Sequence, residues 1–430
     1  MSFPAPGAAA SPNARILVVA STFPASPTDP VPAFVRDQIV AMAAIDESVE
    51  FHVLAPHDRR SATRRRVEHR DFVEHRFHYF WPRSGEQLAG RGIMPALRES
   101  PSLYFVVPFL FLGEFFATWR LTRRLRPAVL YAHWFTPQAI VASWVSRLTG
   151  VPFVFTTHAS DVDVWRKIPG VGRSIVRTAT RGASAITAVS TRSMGKLTAF
   201  LDDRSSASPR QIIAMGVETT ATQTPAEVRR SARKELGLGP GNVILFIGRL
   251  VEKKGVEYLL DALASLEGGD WQLIVAGDGP SKEALEARSH NLGLDSRVRF
   301  TGYTTGEAKR ALFDAADVMV VPSVIAADGD AEGLPVALLE GLAAGLVCIA
   351  TAESGADDII TDGVDGFLCA ERDVVGLAAN LKRALALSAD ARLALTGNAR
   401  ALAQSFSWPA IARRHWDFLF APILESGKHE

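Results

Sequence analysis

The chain has 430 residues, 47% apolar and 22% charged. That composition describes a globular protein of two or three domains and excludes disordered, fibrous and disulfide-stapled classes. Net charge is only +1, yet the residues through Met215 hold 26 Lys+Arg against 16 Asp+Glu and the remainder 21 against 30. A basic front half suits an anionic partner such as a membrane surface or a lipid phosphate. Nucleic acid is not expected, because no nucleic-acid motif accompanies the charge.

Residues 1–13 form a Pro/Ala/Ser tail without a basic n-region, and the apolar run 16–20 is too short for a signal core, so a cytoplasmic chain is expected. Short β-branched runs follow at 15–20, 51–55, 129–132, 153–156, 185–189 and 211–214, then at 243–247, 272–276, 298–300, 318–321 and 347–350. Helical patterns separate them; Val256, Leu259, Leu260 and Leu263 repeat at i, i+3, i+4 and i+7. This alternation predicts an α/β protein with parallel sheets covered on both faces. The reading is two tandem Rossmann-like, doubly wound domains facing a central cleft. They comprise 1–222 on the acceptor side, 223–405 on the donor side, and a helical segment 406–430 that packs back on the first. Cys348 and Cys369 read as small buried hydrophobes of a reducing compartment, and no His/Cys/Asp cluster shows metal-ligand spacing.

The most apolar stretch, 103–116, is broken by Pro108, Gly113 and Glu114. It falls short of the roughly 20 residues a spanning helix needs. Phe115, Phe116 and Trp119 precede Arg120, Arg123, Arg124 and Arg126, and an earlier basic cluster holds Arg59, Arg60, Arg64, Arg65, Arg66 and Arg70. Two readings stand: a segment lying in the interface of the inner membrane face, and a buried helix with a solvated basic end.

Ligands of doubly wound sheets sit at the carboxyl ends of strands, so the chemistry is sought there. The run 243–247 ends in Gly248-Arg249, with Lys254 in the following loop. A guanidinium fork and an ammonium together suit a diphosphate, although a solvated basic loop has the same composition. Farther on, Glu332-Gly333-Leu334-Pro335 leads into an apolar helix expected to start at Pro335, whose first-turn amides make an anion site. Glu332 precedes that helix and Glu340 lies on its second turn, so hydroxyl acceptors flank the anion site, as a nucleotide sugar would require. The plainer reading is a helix-start carboxylate and a surface Glu.

Gly248-Arg249 with Lys254-Gly255, Ala276-Gly277-Asp278-Gly279-Pro280, Phe300-Thr301-Gly302-Tyr303, Val321-Pro322-Ser323, the Glu332-to-Glu340 segment and Asp362-Gly363-Val364-Asp365-Gly366-Phe367 resemble, in this order, the retaining glycosyltransferases of family 4. The resemblance implies the GT-B fold. It also implies donor-diphosphate contacts from Arg249 and Lys254, a ribose contact from Glu340 and a sugar contact from Glu332, with Gly248, Gly333, Leu334 and Pro335 lining the donor site. In the front half, His133 and the Thr156-to-Asp161 segment resemble the family more loosely and make His158 the contact to the transferred sugar; a structural histidine is the alternative. Ser190 and Met215-Gly216-Val217-Glu218 also match family positions, without a chemical role.

The loop 21–32 has no glycine, unlike many members, and is similar to the exopolysaccharide/lipopolysaccharide branch. The same absence removes the glycine fingerprint of a dinucleotide dehydrogenase. Asp328-Gly329-Asp330 reads as an acidic loop and Asp357-Asp358 as a solvated helix start, so neither a metal nor another cofactor is expected. The function this implies is transfer from a nucleotide-diphosphate sugar to a glycan or lipid-linked acceptor, with retention of configuration. Alternatives are a sugar-nucleotide epimerase or a glycan phosphorylase on the same fold, and a non-catalytic sugar-nucleotide-binding protein.

Overall fold

The computed structural model describes residues 14–26, 29, 31–58, 64–89, 92–158, 161–168, 170–201, 208–219, 224 and 226–426. The 1–13 tail, Arg59, Arg60, parts of the 21–32 loop, residues 159–160 and much of the 219–227 linker lie outside them.

Among the described residues the strands are β1 (Ala14–Val19), β2 (Val49–Pro56), β3 (Arg66–Glu68), β4 (Phe72–Phe77), β5 (Val129–His133), β6 (Phe153–Thr157), β7 (Ala185–Ala188) and β8 (Arg210–Ile212) in one sheet. A second sheet holds β9 (Asn242–Ile247), β10 (Trp271–Ala276), β11 (Val298–Gly302), β12 (Val318–Val321), β13 (Val347–Thr351) and β14 (Phe367–Cys369). Their orders are β3-β4-β2-β1-β5-β6-β7-β8 and β11-β10-β9-β12-β13-β14. The first sheet winds outward from β1 through β2 and then restarts at β5. The second winds outward from β9 through β10 and restarts at β12. Each is a doubly wound sheet with a switch point beside its first strand.

β3, β4 and β14 had no counterpart in the predicted runs. β4 reads Phe-Val-Glu-His-Arg-Phe, which breaks apolar patterning, but Glu74 and Arg76 satisfy each other at 2.5 Å inside the fold. The predicted helix of Val256, Leu259, Leu260 and Leu263 is Val256–Ala264, and all four residues are buried in the core under β9 and β10.

Two compact units result: Met1–Thr187, Leu197–Gln211 and Ala412–Glu430 form one, and Ala188–Lys196 with Ile212–Ile411 the other. After a first excursion at Ala188–Lys196, the chain passes into the second unit for its long stretch at Ile212, about ten residues ahead of the expected boundary. The reason is local. Val217 bonds to Phe406, and a Cβ at Gly216 would lie 2.2 Å from the Trp408 ring, so the glycine is what allows that approach. From Ala412 the chain rejoins the first core, where Trp416, Leu419 and Phe420 pack with Ile16, Val18 and Tyr131.

The apolar stretch is not broken as expected. The helix Val107–Leu125 runs through Gly113 and Glu114 without interruption, with Pro108 in its first turn, where a missing N–H is tolerated. Its buried residues are Leu110, Glu114, Thr118 and Thr122, whereas Phe109, Leu112 and Phe116 are exposed. With the preceding turn it forms a helix, Pro101–Leu125, long and apolar enough to cross a membrane by length and composition. Polar residues inward and aromatics outward invert the usual pattern of a surface helix.

Candidate functional site

In the second unit the loop after β9 meets the loop after β12 at the switch point. A Cβ at Gly255 would fall 2.0 Å from the Pro322 carbonyl oxygen, and Gly255 has φ +61°, so close approach and a left-handed turn both require glycine there. Lys253 carbonyl accepts from the Val324 N–H at 2.8 Å. This contact holds the two loops together and brings their charges into one cluster. Lys254 Nζ lies 3.3 Å from Glu332 Oε1, and Lys253 Nζ lies 3.6 Å from the same oxygen and 3.4 Å from Asp330 Oδ1. Burial pushes the Glu332 carboxyl up, but the Lys254 and Lys253 charges outweigh it and hold the group below the usual range. Glu332 is therefore ionised although only 12% of its side chain is exposed.

The Lys254 side chain passes over Gly248, within 3.7 Å of where a Cβ would stand, and Arg249 follows, exposed, at the strand end. Gly333 and Leu334 are buried in the loop that carries Glu332. The helix begins one residue later than expected. Pro335 is its cap, extended at ψ 97°, and Val336–Ala343 are helical, with no side chain capping the first amides. Those amides point along the helix axis with the positive end of the dipole. Glu340 is on this helix, and it is paired with Lys309, at 2.6 Å, rather than with the Lys254 cluster.

In the first unit His133 ends β5 and His158 follows β6. Their rings stack with centroids 5.5 Å apart, and His158 also lies against Trp134 at 4.9 Å and Phe34 at 5.5 Å. His133 Nδ1 and His158 Nε2 share a hydrogen bond of 3.3 Å. Burial, with the neighbouring His415 charge, takes His158 down to about 3, so its imidazole is neutral at physiological pH. Asp161 organises this loop. It accepts from the Phe135 N–H at 2.6 Å, the His158 N–H at 3.1 Å and the Thr157 hydroxyl at 2.7 Å. Burial pushes its carboxyl up to about 6 against those donors. Trp134 between them sits at φ +72°, a conformation costing on the order of 1–3 kcal/mol in a non-glycine residue.

Lys253, Lys309 and His415 escaped the sequence reading. Lys253 adjoins Lys254 and was legible in principle; the other two come from helices with no motif around them. Ser190 proves to be a helix cap, its hydroxyl accepting from Ser193 N–H at 3.2 Å. Asp358 is not merely a solvated helix start, because it accepts from the Thr191 N–H at 2.7 Å. Asp330 is tied to Lys253 rather than standing open.

Two doubly wound units, one with ammonium groups around an ionised carboxylate at its switch point, place the chain among two-domain α/β proteins. The comparisons narrow it. Residues 31–207 match the glycosyl transferase 4-like domain and residues 228–402 match glycosyl transferases group 1. The chain belongs to this glycosyltransferase family, with the GT-B fold. It is 32% identical over 174 residues to a colanic acid biosynthesis glycosyltransferase of Salmonella typhimurium, covering 40% of the chain and 43% of that relative. It is 29% identical to the GDP-mannose-dependent alpha-(1-6)-phosphatidylinositol monomannoside mannosyltransferase of Mycobacterium tuberculosis, covering 70% of the chain and 78% of that protein. The chain thus spans less than half the length of the first of these relatives. Sucrose-phosphate synthase from Thermosynechococcus elongatus superposes with TM-score 0.73 at 20% identity, over 96% of the chain and 100% of the neighbour.

Proposed function

We propose that the protein transfers a hexosyl group from a nucleotide-diphosphate sugar to a glycan or lipid-linked acceptor, with retention of configuration. The observation that carries this reading is the Lys254–Glu332 pair at the β9/β12 switch point, with Arg249 on the loop that carries Lys254 and uncapped amides after Pro335 on the segment that carries Glu332. As the anomeric C–O bond breaks, negative charge moves onto the departing diphosphate. Arg249 and Lys254 stabilise that charge, which is where fixed electrostatics contributes most. The acceptor attacks from the leaving-group face and its proton passes to the departing phosphate, so no protein nucleophile is invoked. Glu332 hydrogen-bonds the transferred sugar, and Glu340 the ribose. Donor chemistry uses positive side chains and helix amides in place of a metal.

The protein acts at the cytosolic leaflet, reached through the outward aromatic row Tyr104, Phe105, Phe109 and Phe116, all exposed, followed by Arg120, Arg123 and Arg124. A lipid-linked acceptor agrees with the naming of the mycobacterial relative for a phosphatidylinositol mannoside. Co-sedimentation with anionic vesicles is expected at low salt, and Phe105→Ser with Phe109→Ser should abolish it; absence of binding at low salt removes this part of the proposal.

The functional test pairs a thermal-shift screen of nucleotide sugars with product analysis by NMR. A donor at about 100 times its Kd should add roughly 2.7 kcal/mol of stability, and acceptor-dependent formation of an α-linked product from an α-donor is expected. Conversion without acceptor would indicate an epimerase, and phosphate-dependent release a phosphorylase. Binding without any turnover would leave a non-catalytic binding protein. Activity abolished by EDTA and restored by magnesium or manganese would return Asp328 and Asp330 as ligands.

A further inference from the structure

We propose that His57, His78 and Glu86 of the first unit form a binding site for a first-row divalent transition ion, with zinc the best chemical match. The sheet itself builds the site. β2 and β4 are parallel with Pro56 opposite Phe77, so His57 and His78 each stand one residue beyond matched strand ends. The His57 N–H donates to the Phe77 carbonyl at 2.7 Å, and the two rings lie 4.5 Å apart. Glu86 follows the short turn Arg83–Gly85 and is completely buried. Nδ1 of His57 and Nδ1 of His78 each lie 2.9 Å from the same oxygen, Glu86 Oε2.

The other oxygen is already occupied. Oε1 accepts from the Tyr79 N–H at 2.7 Å, the Phe80 N–H at 3.1 Å and Arg83 Nη1 at 2.9 Å. Five nitrogens thus converge on one carboxylate, which offers about four lone-pair sites. The surplus falls on His57, whose Nδ1 is buried and, among the described residues, meets no partner in hydrogen-bond geometry despite its distance to Oε2. A cation held jointly by the two imidazoles and Oε2 removes the conflict, since each ring then offers a lone pair instead of competing to donate.

The dimensions suit such an ion. The three ligand atoms lie within 4.8 Å of one another. Tetrahedral zinc, bonded at about 2.0–2.2 Å, separates its ligands by roughly 3.3 Å, so the 2.9 Å gaps need to open by only a few tenths of an ångström. The donors on Oε1 fix the carboxylate's orientation, as hydrogen bonds behind metal ligands do. The His57 and His78 side chains remain 18% and 24% exposed, which leaves a fourth position for water. Two imidazole nitrogens with one carboxylate oxygen favour zinc over magnesium or calcium, which take oxygen ligands. The ion would clip the ends of β2 and β4 to the 83–85 turn. Its role is structural, and it is independent of the donor chemistry proposed for the second unit.

The full-length protein, stripped with a chelator and dialysed, is titrated with zinc chloride against a chromophoric competitor. One equivalent should bind, magnesium should not compete, and cobalt(II) in place of zinc should show the visible bands of a four-coordinate ion. Zinc should raise the Tm of the wild type. His57→Ala and His78→Ala should each weaken binding by more than about 100-fold and lose the zinc-dependent Tm shift. Each leaves Glu86 its partners on Oε1, and circular dichroism verifies the fold. Failure of the wild type to bind an equivalent overturns the proposal, as does binding unchanged in both variants. Either result would leave the cluster as a carboxylate neutralised by hydrogen bonds. Loss of sugar transfer would bear on the donor reading alone.

Discussion

The strand ends of the first unit carry aromatic rings and uncharged imidazoles, whereas those of the second carry ammonium groups around a carboxylate. His158 is enclosed by His133, Trp134 and Phe34, and burial keeps it neutral. Glu332 is nearly as enclosed, yet Lys253 and Lys254 hold it ionised. Similar burial therefore gives opposite charge states, decided by whether a counter-charge sits within about 4 Å. A neutral pocket suits hydroxyl recognition, whereas a charged one suits an anionic group such as a diphosphate.

The contrast is broken most severely on the charged side. Arg249→Ala and Lys254→Ala are each expected to lower kcat by about 10²–10³ with the fold intact, read by steady-state kinetics beside circular dichroism; wild-type rates in either folded variant would refute the diphosphate assignment. On the neutral side, Asp161→Ala strips the acceptor from the Phe135 and His158 N–H groups and the Thr157 hydroxyl. A loss of about 3 kcal/mol is expected in urea unfolding, since stranded buried donors cost about 1–3 kcal/mol each.

A smaller effect tests the principle itself. Glu114 is fully buried with, among the described residues, only Gln138 Nε2 as a donor, at 3.0 Å, and burial pushes its carboxyl up to about 8. The folded protein therefore binds a proton that the unfolded chain has already released above about pH 4.3. With more protons bound in the folded state, stability falls as pH rises toward 8. Between pH 6 and 7.5 the wild type should lose about 2 kcal/mol through this group, at about 1.4 kcal/mol per unit. Glu114→Gln, which still accepts from Gln138, should flatten that slope; an unchanged slope would show that Glu114 is already ionised. The smallest expected change is in Glu340→Ala, whose half-buried pair with Lys309 contributes about 0–1 kcal/mol. It should raise donor KM with kcat nearly intact, while Glu332→Ala should mainly lower kcat. Matching kinetic signatures would erase the distinction between the two carboxylates.

Legibility in the sequence followed the same division. Arg249, Lys254, Glu332 and Glu340 stand in short segments next to a strand or helix, and both sheets were traceable from β-branched runs such as 243–247 and 318–321. β4 was hidden because its Glu74 and Arg76 find their partners in the folded structure: each other, His69 and the carbonyls of Pro56, Phe23 and Pro24. Pro108, Gly113 and Glu114 looked like a break because composition cannot show that Glu114 faces Gln138 inside the protein. Lys309 reaches Glu340 from 31 residues away, and His57, His78 and Glu86 meet only because parallel pairing aligns two strand ends. Those meetings are properties of topology and leave no local pattern.

The return of Ala412, Trp416, Leu419 and Phe420 to the core of the first unit has a consequence for biosynthesis. The ribosome makes the first sheet early, but the residues that close one side of its core are translated only after the second unit. At about 5–20 residues per second, the wait between Gln211 and Phe420 lasts roughly 10–40 seconds, and the second unit, which ends at Ile411, is synthesised within it. The usual vectorial order is thus reversed, and the unit begun first is completed last. A nascent chain stalled before Ala412 would present Ile16, Val18 and Tyr131 uncovered on one side, which makes it a natural client for chaperones that hold incomplete chains.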